Sequence, residues 1–287
     1  MPSRLFSTWS LLPLFFAPFA FGSTGHSAMF RGGPAHPGTA ESPAPHALHV
    51  HWVFDPAALT GIPREAIFSS PVVAEGTVFV GSTDNHLYAV DATTGKLKWA
   101  FKTSGGPFKS GGNVSSTPAV ANGLVYFMCG DGNFYAVSAS DGSLKWSFAT
   151  GGERRFSAPG VNYTQPMTET TPDIWDFFLS SPTVVDGAVC FGCRDGCIYS
   201  LDAATGSLRW KYQTGDVVHA SPAVAGGVVY IGSFDTWFYA LDAGSGKLLW
   251  RFKTGDDPVA HNQTGLPGSA TVSDGTVYFG CRDAHLY

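Results

Sequence analysis

Residues 201–215 read LDAATGSLRWKYQTG, and the chain writes nearly the same line three more times: VDATTGKLKWAFKT from Val90, VSASDGSLKWSFATG from Val137 and LDAGSGKLLWRFKTG from Leu241. A line copied at a fixed interval is one structural unit used again, so the period matters before any single residue does. Trp210 and Trp250 are 40 residues apart; the larger spacings between the other tryptophans are that unit with insertions. The landmarks are Pro71, Gly81, Tyr88, Gly95 and Trp99 in the first unit, and Pro118, Tyr135, Gly142 and Trp146 in the second, where Met128 replaces the first glycine. They are Pro182, Gly192, Tyr199, Gly206 and Trp210 in the third, and Pro222, Gly232, Tyr239, Gly246 and Trp250 in the fourth.

Each unit holds four short strand patterns, as in SPVVA from Ser70, TVFVGS from Thr77, HLYAVD from His86 and KLKWAFKT from Lys96. They are β-branched or aromatic, mostly alternate in polarity, and are separated by turn residues. Gly76, Gly123, Gly187, Gly227 and Gly275 serve the first turn, where a positive φ costs glycine little. Asp84, Asp131, Asp195, Asp235 and Asp283 stand in the second, where an aspartate bonds its own backbone. Four strands per 40-odd residues is the pattern of a propeller blade. A lone four-stranded sheet cannot bury both faces, but radial stacking buries each blade against the next. Trp99, Trp146, Trp210 and Trp250 on the outer strands are the large flat surfaces expected to wedge between blades. The repeated line is therefore a packing instruction and performs no chemistry of its own. The fold is expected to be all-β, a β-propeller of four-stranded blades.

The two ends break the pattern. In HALHVHWVFD, Trp52-x-Phe54 matches Trp99-x-Phe101, which predicts an outer strand with no blade before it, the piece that in propellers completes the last blade and removes the sheet edges. The fifth unit runs GTVYFGCRDAHLY and stops at Tyr287 before its third turn and its tryptophan. Residues 48–287 are thus expected to form a propeller truncated within its fifth blade, about 4.5 blades of a ring of about seven or eight when complete.

Composition agrees with this fold class. The 287 residues are 44% hydrophobic and only 14% charged, with 35 Gly and 19 Pro, which suits many strands and turns. A net charge of −5 lacks the basic stripe a nucleic-acid partner requires. Residues 1–22 read as a secretory signal peptide: Arg4, the apolar run Leu11–Phe21, then small Ala20 and Gly22 before a cut at Ser23. No cysteine follows that run to take a lipid and no later run is long enough to span a bilayer, so a periplasmic or secreted, non-spanning protein is expected. The five cysteines are Cys129, Cys190, Cys193, Cys197 and Cys281. CFGCRDGC has the look of metal spacing, but strand residues three apart face opposite ways, so Cys190 and Cys193 should not share an ion. Cys193 and Cys197 flank a short turn and could pair as a disulfide. Cys129, Cys193 and Cys281 occupy one repeat position, held by Ser82 and Ser233 elsewhere, which marks that position as small and packed.

AVDATTGKLKW and ALDAGSGKLLW resemble the A-x-D-x-x-x-G-x-x-x-W tryptophan-docking repeat of the pyrroloquinoline-quinone (PQQ)-like β-propellers. MFRGGPAHPG, Met29–Gly38, looks like the lead-in of bacterial members of that family, within a lead-in segment taken as residues 23–47. The resemblance implies docking roles for Trp52, Trp99, Trp146, Trp210 and Trp250. It implies two functional branches: a non-catalytic platform for assembling outer-membrane proteins, BamB-like, and quinoprotein dehydrogenases that hold PQQ and Ca²⁺ over the ring axis. The chain departs from both, with no Cys-Cys pair and no lipidated cysteine, so no catalytic residue and no metal ligand is carried over.

Binding residues are sought in the insertions between outer and next inner strands, which gather on one face with the second turns. They supply Lys109 and Asn113; Arg154, Arg155, Trp175 and Asp176; and His261, while His219 opens an inner strand near the axis. Arginine with aromatics suits carboxylates, a quinone or a peptide; the plain alternative is a solvated loop over the ring and a structural histidine. The expected function is a binding or scaffold module of the bacterial cell envelope with envelope proteins or peptide segments as partners and no cofactor. The alternative is a periplasmic PQQ- and Ca²⁺-dependent oxidoreductase of alcohols or sugars.

Overall fold

A computed structural model describes residues 29–38, 49–61, 66–104, 112–152, 155–156, 171–172, 178–255 and 265–287. Residues 1–22, expected from sequence to be a signal peptide, lie outside them. The chain builds four antiparallel sheets of four strands, each in simple sequence order. Blade 1 is β1 (Val72–Ala74), β2 (Thr77–Gly81), β3 (His86–Asp91) and β4 (Leu97–Lys102). Blade 2 is β5 (Ala119–Ala121), β6 (Leu124–Met128), β7 (Asn133–Ser138) and β8 (Leu144–Ala149). A two-stranded ribbon, β9 (Arg155–Phe156) with β10 (Thr171–Pro172), rises from the longest insertion. Blade 3 is β11 (Thr183–Val185), β12 (Ala188–Gly192), β13 (Cys197–Asp202) and β14 (Leu208–Gln213). Blade 4 is β15 (Ala223–Ala225), β16 (Val228–Gly232), β17 (Trp237–Asp242) and β18 (Leu248–Lys253). The fifth unit contributes β19 (Thr271–Ser273) and β20 (Thr276–Tyr278), then a bridge between Gly280 and Leu286. The inner strands β1, β5, β11, β15 and β19 neighbour one another in that order and line the axis. This is the propeller the repeat predicts.

The turns work as the residues require. In each first turn both central residues are left-handed: Glu75 and Gly76 have φ of 47° and 68°, Asp186 and Gly187 48° and 69°. That is the two-residue hairpin whose twist matches its strands. In each second turn one aspartate oxygen accepts the backbone N–H two residues on, at 2.9 Å from Cys197 to Asp195 and 3.0 Å from Trp237 to Asp235. The other oxygen accepts a tyrosine hydroxyl four residues on, at 2.6 Å for Tyr199–Asp195 and for Tyr239–Asp235. Burial beside that carboxylate pushes the tyrosines up, Tyr135 to about 12.

The indoles join one blade to the next. Trp99, Trp146 and Trp210 donate Nε1–H to the carbonyls of Ala139, Ala203 and Ala243, at 3.0, 3.1 and 2.8 Å. Each ring lies flat on the third-turn glycine of that next blade; a Cβ at Gly206 would sit 2.6 Å from the Trp146 ring. These glycines also have φ near 70°, so shape and backbone both demand them. Trp52 does the same to blade 1, bonding Ala92 O at 3.0 Å over Gly95. The outer strand predicted around Trp52 is not formed, however. His49–Asp55 carries no strand hydrogen bonding, although Trp52 and Phe54 turn inward and His51, Val53 and Asp55 outward. The alternation is that of a strand, but no strand stands beside it among the described residues, and a ladder needs one.

The lead-in segment packs onto the propeller. Met29 sits in the core between blades 2 and 3, and Pro34 and Ala35 accept backbone hydrogen bonds from Val224 in β15 and Val272 in β19.

Candidate functional site

The insertion face is built by repetition. The threonine closing each outer strand ties it to the second turn of its own blade, as Thr214 N to Gly196 O at 2.9 Å. The following residue then reaches the aspartate of the next blade: Gly151 to Asp195 at 2.8 Å, Gly215 to Asp235 at 2.7 Å and Gly255 to Asp283 at 2.9 Å. The second-turn carboxylates are therefore joints between blades, each with its oxygens committed to protein donors.

Each crossover returns between two second turns. Val114, Val218 and Leu266 donate their N–H to Ser82, Cys193 and Ser233 and are completely buried. Their side chains fill the space over Gly81, Gly192 and Gly232; a Cβ at Gly192 would lie 2.4 Å from Val218 Cγ1. Blade 2 has Met128 in place of that glycine, and the methionine side chain is itself buried there. The residue at the equivalent crossover position, Phe178, is turned out and 70% exposed. The longest insertion thus follows the blade whose glycine is lost.

Phe178 begins a row of rings and cations across blades 3 to 5. Its ring centroid is 6.0 Å from that of His219, and His219 meets Phe234 edge-on at 4.7 Å. The Arg282 guanidinium lies 5.0 Å over the Phe234 ring. Arg194 occupies the same second-turn position as Phe234 and Arg282, but is buried and donates to Gly130 O at 3.2 Å. At the other end of the face, the Oδ1 atoms of Asn85 and Asn113 are buried and have no partner among the described residues. The row suits flat apolar or carboxylate-bearing groups; the amide oxygens suit N–H or O–H donors.

Of the residues expected from sequence, the structure places His219 in this row and Asn113 at its far end. Lys109, Arg154, Trp175, Asp176 and His261 lie outside the described residues, and Arg155 is described only as backbone in β9. Phe178, Phe234 and Arg282 were not among the expected residues. The signal for Phe178 was available: a phenylalanine where the other crossovers have Val or Leu, paired with a methionine where the other blades have Gly. Arg282 and Arg194 share the written motif CRD, Cys193–Asp195 and Cys281–Asp283.

Cys129, Cys190, Cys193 and Cys197 are buried, and all five cysteines are free thiols. Burial pushes them up, Cys190 to about 11, so they stay protonated and are poor nucleophiles at neutral pH. The possible Cys193–Cys197 disulfide is not formed: Cys193 N donates to Cys197 O across a tight turn, and Cys197 Sγ turns to Gln213 Oε1 at 3.2 Å. Among the described residues no group of three or more His, Cys, Asp or Glu side chains is placed to hold a metal ion. No described helix is long and apolar enough to cross a membrane.

A family profile described as outer membrane protein assembly factor BamB matches residues 59–159 and 161–287. No curated protein matches the chain by sequence. Among solved structures, BamB from Moraxella catarrhalis aligns with a TM-score of 0.59 at 17% identity, over 77% of this chain and 60% of that one. Quinohemoprotein alcohol dehydrogenase from Comamonas testosteroni aligns at 0.61 and 16% identity, over 90% of this chain and 46% of that one. The quinohemoprotein alcohol dehydrogenase ADHIIG from Pseudomonas putida HK5 aligns at 0.58 and 19%, over 76% of this chain and 39% of that one. The chain spans between 39% and 60% of the length of these structures, and at such identities the likeness is one of fold.

Proposed function

The chain belongs to the family of the outer membrane protein assembly factor BamB, and from that premise we propose that it is a non-catalytic binding or scaffold propeller of the bacterial cell envelope, periplasmic or secreted. Its partners are envelope proteins or peptide segments held on the insertion face. The exposed Phe178, in row with His219, Phe234 and Arg282, is the observation that carries this reading. An exposed apolar ring, in one row with a second ring that a guanidinium covers, has the composition of a protein-binding hot spot. In the same reading Trp52, Trp99, Trp146 and Trp210 serve as docking residues that keep the face rigid, while Trp250, expected to do the same, meets no further blade among the described residues.

The test replaces Phe178 with Ser and Arg282 with Glu together, and Arg154 and Arg155 with Ala in a second variant. Envelope proteins captured by the wild-type chain and identified by mass spectrometry should fall at least about tenfold with the first variant, since each lost hot-spot contact is worth roughly 2 kcal/mol. Equal capture by wild type and both variants, all with unchanged circular dichroism, overturns the face as the binding surface.

A second reading takes its support from the two quinohemoprotein dehydrogenases of similar fold: a PQQ- and Ca²⁺-dependent oxidoreductase. The described residues do not fit that group. They bring no carboxylate cluster to the axis, the second-turn aspartates are committed to Tyr and backbone donors, and Met29–Gly38 lies across the inner strands. The quinone contacts this reading would use are Lys109, Arg154, Arg155, Asn113 and His219. Saturable quinone binding by folded protein, read from its absorbance with Ca²⁺ present, would favour it over the first; its absence would remove it.

A further inference from the structure

Each inner strand pairs on one side only, with the second strand of its own blade, and turns its other edge to the axis. In the register Ala223↔Tyr230, Val224↔Val229, Ala225↔Val228, the middle residue directs its N–H away from β16. That N–H, on Val224, donates to Pro34 O at 2.7 Å, and its equivalent on Val272 donates to Ala35 O at 3.0 Å. Side chains frame these two bonds. His36 is fully buried, its Nδ1 3.1 Å from Ala270 O and its Nε2 3.4 Å from Thr183 Oγ1; Thr271 Oγ1 donates to His36 O at 3.1 Å. Arg31 reaches Thr271 Oγ1 at 3.2 Å. Met29–Gly38 therefore crosses the axial edges of the inner strands, giving one main-chain carbonyl to β15 and the next to β19, and meets β11 through Thr183 Oγ1.

The same register repeats at Val73 in β1, Val120 in β5 and Val184 in β11, whose N–H groups face the axis with no backbone acceptor among the described residues. The segment is also closed on itself, by Gly32 N to Met29 O, His36 N to Gly33 O and Gly38 N to Arg31 O. It keeps its shape by its own bonds and is seated on the propeller by Met29 in the core between blades 2 and 3, by buried His36, and by the hydrogen bonds above.

We infer that the axial edge of the inner strands is a binding groove for a turn-rich, Gly/Pro-containing protein segment, and that Met29–Gly38 is a tethered occupant which such a partner segment displaces. The inference rests on the binding-module reading above and names the chemistry of its partner. The partner supplies carbonyls to Val224 and Val272, with further donors open at Val73, Val120 and Val184. The tether competes at high effective concentration, so the groove is closed to a weak segment and open to one that also uses those extra donors.

The test uses the whole chain and a labelled decapeptide of the sequence MFRGGPAHPG as probe. His36→Asp sets a carboxylate against Ala270 O and Thr183 Oγ1 and unseats the tethered copy. Labelled peptide should bind the His36→Asp chain saturably, at least tenfold more tightly than wild type, by fluorescence anisotropy. A variant folded by circular dichroism that binds no peptide, or wild type and variant binding alike, overturns the groove. Amide exchange in the wild type decides the matter where the variant does not fold. Val224 and Val272 should exchange at least tenfold faster than Ala223 and Ala225, which bond within the blade. Exchange of all four only on global unfolding makes the segment a fixed part of the core and ends the proposal. Neither readout uses an envelope partner or Phe178, so failure here leaves the insertion face standing, and the reverse.

Discussion

At the scale of single residues, His36 holds the least comfortable position in the molecule. Thr183 Oγ1 gives its one proton to Pro222 O at 2.6 Å, so it faces His36 Nε2 as an acceptor, while Ala270 O faces Nδ1. Both ring nitrogens look at acceptors, yet burial, helped by the charge on Arg31, lowers the imidazole from 6.5 to about 4. A seated histidine that resists protonation leaves stability intact above about pH 6.5. Stability is lost as pH falls through that value, and the loss is complete near pH 4. By pH 5 the loss is about 2 kcal/mol. The third-turn carboxylates of Asp141, exposed, and Asp202, half-buried, are held at about 2 by their hydrogen bonds and stay charged through this window. His36→Asn keeps a donor near Ala270 O and removes the titration. Thermal midpoints measured from pH 7 to 5 should fall clearly further for wild type than for the variant, and parallel curves would show that His36 is not the titrating group. None of this was readable beforehand. FRGGPAHPG has no periodicity, and its partners lie from 147 to 240 residues away in sequence.

Between elements, the joint is the tryptophan, and the four complete blades offer an internal control. Trp210 is 7% exposed, bonded to Ala243 O and stacked on Gly246; Trp250 is 45% exposed and touches only Tyr230 and Phe238 of its own blade among the aromatic rings. Trp210→Phe removes a hydrogen bond, strands a carbonyl and opens space between blades, at a cost of about 2 kcal/mol. Trp250→Phe removes none of these and should stay within about 0.5 kcal/mol. Urea midpoints of the two variants test the difference; equal losses would mean the interblade contact contributes nothing beyond ring burial. Here the sequence was informative, because repetition itself pointed to the glycine, the tryptophan and the aspartate, each at one spacing in every unit. It was silent where one blade departs. The Met128 and Phe178 exchange couples positions 50 residues apart, and only the geometry of Gly81 with Val114 explains why the two changes go together.

For the whole molecule, blades stacked in an arc behave as a nearly one-dimensional array, in which each is stabilised mainly by its neighbours. Blades 2 and 3 have a complete blade on both sides and the largest shared core, where Phe134 and Phe191 stack at 4.2 Å between them. Blade 4 packs on blade 3 through Trp210 but presents all of β18 as exposed, with Leu248, Leu249, Trp250 and Phe252 uncovered. Among the described residues its far side is met by the short fifth unit, the β19–β20 hairpin and the turn after it, joined chiefly by the stack of Phe238 on Phe279 at 3.9 Å. Local opening should therefore begin at β19–β20, reach β17–β18 next and β6–β7 and β12–β13 last. In hydrogen exchange at neutral pH, amides of β12 and β13 should be protected at least about tenfold more than those of β17, and those of β17 more than β20. A single protection level from blade 1 to β20 would mean the array opens as one unit, with the sheet edges tied together by contacts beyond the neighbour-to-neighbour joints. The order bears on the proposed function as well: the row from Phe178 to Arg282 crosses this gradient, beginning beside blade 3 and ending at Arg282 in the turn just after the hairpin that opens first. The rigid end is then suited to holding a partner and the Arg282 end to adjusting to it.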